Sequence, residues 1–173
     1  MIFTETKLKG AYVIRPEPIE DERGFFARVF CQNEFKAHNI DFNVVQCNIS
    51  HNKESGTLRG MHYQVAPYQE AKLIYCTSGI IHDVIIDLRP DSATFHSWFD
   101  MILSPDGKML YMPQGFAHGY ETLSANTTVF YLVSEYYHAE YERTIRWDDP
   151  KIGIKWSSLV KIISGKDSNA RYL

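Results

Sequence analysis

The chain is poor in the features that mark secreted, membrane-spanning or nucleic-acid-binding proteins. Its 173 residues include only three cysteines, Cys31, Cys47 and Cys76. Their number is odd and no C-x-x-C spacing occurs, so neither a disulfide framework nor a thiolate metal knuckle is expected. The three read as reduced, mostly buried thiols. No run approaches the ~18 apolar residues of a membrane span, and the N-terminal MIFTETKLKG lacks the apolar region of a signal peptide. A cytoplasmic protein without a membrane partner is expected. Neither sign of charge is in large excess: 18 basic and 21 acidic side chains leave a net charge of −3 and a pI of about 6.1. That balance gives no electrostatic footprint for nucleic acid, although a local basic pocket for a small anion remains open. Internal repeats, linkers and low-complexity tracts are also missing.

What is present is apolar and aromatic material, 45% and 14% of the residues. This is ample for one core, and residues 1–173 are expected to form one domain. Short runs rich in Val, Ile, Tyr and Phe dominate: Ala11–Arg15, Asn43–Gln46, Lys72–Cys76, His82–Asp87, Trp98–Leu103, Lys108–Met112 and Thr128–Val133. Gly, Pro, Asn, Asp and Ser separate most of them, which predicts strands of a sandwich or barrel. Helical signals are few. Gln32–His38 has the length of two turns, and Ser157–Ile163 follows a serine pair able to cap a terminal helix. The fold class is therefore mainly β with a short helical C-terminal segment.

Two stretches carry chemistry. Pro113-Gln114-Gly115-Phe116-Ala117-His118 has the Pro-x-Gly-x-x-His form of the second cupin motif, in which a turn is followed by a strand that presents a histidine inward. Its companion motif supplies His-x-His and a glutamate. Here that place reads Leu58-Arg59-Gly60-Met61-His62-Tyr63-Gln64, with glycine in place of the first histidine and the nearest following glutamate at Glu70. Two imidazoles fall short of the three or more protein ligands usual at a first-row metal, so a cupin without a metal or other cofactor is expected. Imidazole, with an ordinary pKa of about 6.5, suits His62 to accept a proton at neutral pH. Arg59, Lys72 and Asp83 lie in or beside strand segments. Taken singly each reads as a solvated charge, and taken together they suit an inward polar site.

Over nearly its whole length the sequence resembles the dTDP-4-dehydrorhamnose 3,5-epimerase family. The resemblance rests on Asp21-Glu22-Arg23-Gly24-Phe25-Phe26, Gln46-x-Asn48, Leu58 to Gln64, Lys72-Leu73 and Asp83-x-x-x-Asp87-x-Arg89. It continues through Pro113 to Gly119, Tyr136-Tyr137, Asp148-Asp149-Pro150 with Gly153-Ile154, and Ser164-Gly165-Lys166-Asp167. It implies a cupin-type double-stranded β-helix (a jelly-roll sandwich), a homodimer, and epimerisation beside the ketone of a nucleoside-diphosphate 4-keto-6-deoxy sugar. The implied default is dTDP-4-dehydro-6-deoxyglucose giving dTDP-4-dehydrorhamnose. By the same resemblance His62 matches the general base, Asp167 the carboxylate that orients it, Tyr131 the acid on the opposite face, and Lys72 a cation near the enolate oxygen. Arg23, Phe26, Gln46, Asn48 and Arg59 match positions that bind the substrate, chiefly at its diphosphate. Tyr137 matches a position beside the base, and Asp83 and His118 match polar residues of the cavity wall.

Without the resemblance several of these residues read otherwise. Tyr131 would be a core tyrosine bonded to backbone, Asp167 a solvated tail residue, Arg23 part of a surface turn, and Tyr136-Tyr137 a strand pair. The chain also departs from the family pattern at Leu132, Glu70-Ala71, Tyr75, Cys47 and Ile49. These departures bear on substrate identity and leave the proton-transfer residues intact. A single-carbon epimerase of a GDP- or CDP-linked sugar, a metal cupin such as a dioxygenase, and a non-catalytic sugar-nucleotide module are the alternative readings.

Overall fold

In a computed structural model, described for residues 1–157 and 160–173, the chain folds mainly into strands. In chain order they are β1 (Ile2–Glu5), β2 (Tyr12–Arg15), β3 (Ile19–Asp21), β4 (Gly24–Phe26), β5 (Gln46–Asn52), β6 (Thr57–Gln64) and β7 (Lys72–Ser78). They continue with β8 (Ile81–Asp87), β9 (Trp98–Leu103), β10 (Met109–Met112), β11 (Phe116–Thr122), β12 (Thr127–Val133), β13 (Glu142–Thr144) and β14 (Ile162–Ile163). Two short helices, α1 (Gln32–Ala37) and α2 (Gly165–Ser168), complete the elements.

One sheet runs β1-β2-β10-β7-β12-β5, and the other runs β13-β6-β11-β8-β9, with β14 also pairing β6. Apart from the parallel β14–β6 pair, the pairings between these strands are antiparallel. The two sheets form the cupin-type sandwich that the motifs imply. Period-two alternation assigns each side chain to a face. On β7, Ile74 and Cys76 enter the core between the sheets, while Leu73 packs on the outer side under α1 with Phe35 and Phe42. On β8, Ile81 and Ile85 point inward, and Val84 and Ile86 point outward beside Ile145 and Ile152. Burying each such side chain contributes ~1.5–3 kcal/mol relative to exposure, so three apolar layers hold the two sheets in place.

Glycine matters most where β6 meets β11. Opposite His118 stands His62, but opposite Tyr120 stands Arg59, so two steps along β11 answer three along β6. This bulge turns Arg59 to the same side as His62, which simple alternation would forbid. Gly60 adopts φ +123°, and a Cβ there would lie 2.5 Å from the Cα of Gly119. A side chain at position 60 would push the two strands apart.

Several expectations shift. The strand expected at Asn43–Gln46 instead begins at Gln46 and runs to Asn52. The terminal helix expected at Ser157–Ile163 is not formed: Ile162–Ile163 pairs with β6 as a strand, residues 158 and 159 lie outside the described residues, and the short C-terminal helix is Gly165–Ser168. Its N-cap, Ser164, accepts the backbone N–H of Asp167 at 3.1 Å. Of the cysteines, Cys76 is buried but Cys47 is exposed on the outer face of β5. Among the described residues no helix is long and apolar enough to cross a membrane.

Candidate active site

A cavity of about 160 Å³ opens between the sheets and is lined by Ser50, Arg59, His62, Lys72, His118, Tyr120 and Tyr131. Larger depressions lie elsewhere, including one of about 490 Å³ beside Tyr12, Asn39 and Asp41. That one gathers no histidine, arginine or lysine, so size is a poor guide to chemistry here. Strand alternation accounts for the smaller cavity's lining. Lys72 shares a face with Ile74 on β7, Tyr131 with Val129 on β12, and His118 lies between the inward Phe116 and Tyr120 on β11.

His62 reaches the cavity from β6. Its Nε2–H donates to Asp167 Oδ1 at 2.7 Å, while Asp167 Oδ2 accepts the backbone N–H of Gly60 at 3.3 Å. Asp167 is buried, held there by α2. Burial alone would push its carboxyl up, but the hydrogen bonds from His62, Gly60 and Ser164 outweigh it and hold the group below the usual carboxylate range. An ionised carboxylate only accepts, so the imidazole N–H sits on Nε2 and Nδ1 carries the lone pair. Nδ1 has no hydrogen-bond partner among the described residues, which leaves it free to take a proton.

Tyr131 enters from the other sheet. Burial pushes its phenol up, the neighbouring Tyr120 and Glu70 add to that, and Arg59 opposes it. The group therefore stays protonated at neutral pH. Its hydroxyl has no hydrogen-bond partner among the described residues, so it is not the backbone-bonded core tyrosine that residue type alone suggests. Lys72 Nζ pairs with Glu70 at 2.8 Å, both side chains being largely buried. His118 Nε2–H donates to the fully buried Asp83 at 2.7 Å, and the other carboxylate oxygen of Asp83 has no partner among the described residues.

The remaining expected residues divide. Asn48 stands cross-strand from Tyr131 and accepts the side-chain amide of Gln46 at 2.9 Å, so both lie on the cavity-facing side of β5 without lining the cavity itself. Tyr137 is exposed, and its hydroxyl donates to Glu142 at 3.0 Å. Arg23 and Phe26 are not brought to the cavity. They lie on the β3–β4 hairpin, which pairs with neither large sheet; among the described residues the Arg23 side chain is bound only to Asp21, and Ile19, Phe25 and Phe26 are exposed. Ser50, Asn52, Tyr120 and Glu70 belong to the site or its support and were not expected. A signal for two of them exists: continuing the Gln46-x-Asn48 alternation by two steps reaches Ser50 and Asn52. Among the described residues no group of three or more His, Cys, Asp or Glu side chains converges as a metal site would require.

The family model described as dTDP-4-dehydrorhamnose 3,5-epimerase matches residues 5–173. The chain belongs to the dTDP-4-dehydrorhamnose 3,5-epimerase family. Among its relatives is a protein of that description from Sinorhizobium fredii, 40% identical over 171 residues that make up 98% of this chain and 88% of that protein. Solved epimerase structures superpose closely. One from Bacillus anthracis, with TDP and PPi bound, has a TM-score of 0.95 at 39% identity and covers 99% of each chain. Another, from Legionella pneumophila in complex with dTDP-4-keto-L-rhamnose, has a TM-score of 0.91 at 35% identity and covers 99% of this chain and 92% of that one. This epimerase is thus an isomerase by family, and its cavity is the place to look for the reaction.

Proposed function

We propose that this epimerase converts dTDP-4-dehydro-6-deoxy-D-glucose to dTDP-4-dehydro-L-rhamnose by inverting C3 and C5. One observation carries the reading: an imidazole with a free nitrogen and a protonated phenol enter one cavity from opposite sheets, His62 on β6 and Tyr131 on β12. A sugar ring between them meets a base on one face and an acid on the other. His62 Nδ1 takes the proton from the carbon beside the ketone. The electron pair of the broken C–H bond moves into the enolate, whose oxygen is met by the ammonium of Lys72. Tyr131 then delivers its proton to the opposite face of the same carbon, and solvent restores both residues. Fixed charge aimed at the developing enolate stabilises the transition state more than the ground state. Asp167 holds the imidazole tautomer and stabilises the imidazolium. Every proton and electron in the cycle is accounted for by protein groups, substrate and solvent.

Arg59 is the cavity arginine suited to the diphosphate, since its planar fork can give two hydrogen bonds to phosphate oxygens. His118 and Asp83 form the polar wall beside the sugar, and Gln46, Asn48 and Tyr137 extend toward the nucleotide. We read residues 1–173 as one cytoplasmic cupin-type domain that works as a homodimer. The exposed β3–β4 hairpin favours this, because Arg23 and Phe26 can serve a site only by reaching that of a second copy. Incubating the protein with dTDP-4-dehydro-6-deoxyglucose in deuterated water tests the reading. The expected result is deuterium at C3 and C5 with inversion at both. Exchange at one carbon only, or with GDP- or CDP-linked sugars and not the dTDP sugar, would overturn it.

A further inference from the structure

Behind the cavity wall a buried side chain that does not itself line the cavity is hydrogen-bonded to residues that do. Asn52, at the end of β5, is 2% exposed. Its Oδ1 accepts the Nε–H of Arg59 at 2.8 Å. Its Nδ2 donates to the backbone carbonyl of Thr127 at 3.3 Å and to the hydroxyl of Tyr120 at 3.2 Å. That hydroxyl also meets Ser50 Oγ at 2.9 Å. The orientation of the amide follows from its partners: an arginine Nε only donates and a carbonyl only accepts, so oxygen must face Arg59 and nitrogen must face Thr127. Aspartate would lose the donor to Thr127, and leucine would lose all three hydrogen bonds. The side chain thus ties β6 to β5, β11 and β12 at the point where the β6 bulge turns Arg59 toward the cavity.

What this does to Arg59 is specific. The side chain lines the cavity, and among the described residues Nε to Asn52 is its only hydrogen bond. Anchoring Nε leaves the two terminal amino groups free and fixes the plane in which they lie. We propose that Asn52 is a positioning residue: it presents the Arg59 fork, already oriented, to a diphosphate group. An arginine without this anchor must give up rotamer freedom when the ligand arrives, and affinity falls accordingly. The inference rests on the proposed role of Arg59 in diphosphate binding. It adds a buried residue that no ligand reaches, through which that binding is tuned.

The test is a double-mutant cycle read by calorimetry with thymidine diphosphate, with steady-state rates alongside. Arg59→Ala is expected to weaken binding by about ten- to a hundredfold, the worth of a charge-assisted hydrogen bond. Asn52→Ala should weaken it by about tenfold and raise KM to match, leaving kcat within about twofold. In the Arg59→Ala background the Asn52 change should cost nothing more, because its effect passes through a side chain that is no longer there. Asn52→Ser keeps a hydroxyl for Tyr120 but is too short to hold Nε. It should behave like Asn52→Ala and serves as the second variant if the alanine protein melts early. Equal weakening with and without Arg59 would show a general loosening of the site and overturn the proposal. So would unchanged binding in both Asn52 variants while Arg59→Ala binds poorly. Full affinity in Arg59→Ala would instead sink the diphosphate role of Arg59, and this inference with it.

Discussion

Two histidines of this protein bind carboxylates on opposite faces of one sheet, and they have opposite uses. His62, in the cavity, gives one nitrogen to Asp167 and keeps the other free. His82 points to the outer face of β8, where Nδ1 meets Glu121 at 3.0 Å and Nε2 meets Asp100 at 2.8 Å. Its ring packs edge-on against Trp156, and Glu121 also accepts the backbone N–H of Ser157 at 2.6 Å and its hydroxyl at 2.8 Å. Both nitrogens are spent, so His82 has no lone pair to offer a substrate. The neighbouring residue on the same strand, Asp83, faces the other way and supports His118 in the cavity. Adjacent positions of β8 thus feed a structural clamp and the candidate active site. A histidine–carboxylate pair marks function only when one nitrogen stays free and faces a space that a ligand can enter.

The comparison can be broken most sharply at His62. A general base is worth roughly 10²–10⁴ in rate, so His62→Ala should lose solvent deuterium exchange at both carbons by at least that factor. Thymidine diphosphate affinity should stay within about twofold, because the proposed mechanism gives the imidazole to the sugar and not to the diphosphate. Exchange at the normal rate would remove His62 from the chemistry.

A smaller effect is expected at His82, and on stability instead of rate. The hydrogen bond that His82 donates to Glu121 raises its pKa, burial opposes this, and the bond it donates to Asp100 adds to the rise. Because the folded value lies above the unfolded one of about 6.5, the protonated clamp stabilises the fold fully below that pH. The contribution then fades as pH climbs through the folded value. His82→Gln should therefore melt about 2–4 °C lower than the parent at pH 6, with the gap narrowing toward alkaline pH. Epimerisation by the folded variant should be unchanged. A gap that widens as pH rises, or a lost rate without a lost melting temperature, would mean that the two clusters are not separable as described.

Legibility in the sequence followed the same division. Strands that face apolar layers, such as Trp98–Leu103, announced themselves by Val, Ile, Phe and Trp content, and the observed bounds agree. Of the strands that line the cavity, β7 and β12 did so too, but β5, β6 and β11, diluted by polar side chains and glycine, did not. The inner face of β5 is Gln46, Asn48, Ser50 and Asn52, so the apolar signal of Val44 and Val45 places the expected strand one segment early. β6 and β11 carry Arg59, His62 and His118 inward and were visible only through their motifs. Partners distant in sequence could not be read from spacing: His62 and Asp167 are 105 residues apart, and only the family resemblance joined them. The same resemblance points to Arg23 and Phe26, yet they sit on an exposed hairpin that pairs with neither large sheet, a placement that no motif spacing reveals.

The central claim is that two residues from two sheets work on opposite faces of the sugar, and Tyr131 tests it most directly. Tyr131→Phe removes one hydroxyl, keeps the ring, and leaves His62 and Asp167 intact. The measurement is the rate of deuterium uptake from solvent and the rate of inversion, followed together on the same dTDP-4-dehydro-6-deoxyglucose sample. With the base present and the acid gone, the enolate should still form and be reprotonated from the His62 side in its original configuration. Uptake should persist while inversion falls by roughly 10²–10⁴. Inversion at the parent rate would contradict the account: Tyr131 would then be only part of the wall, and the proton would come from elsewhere.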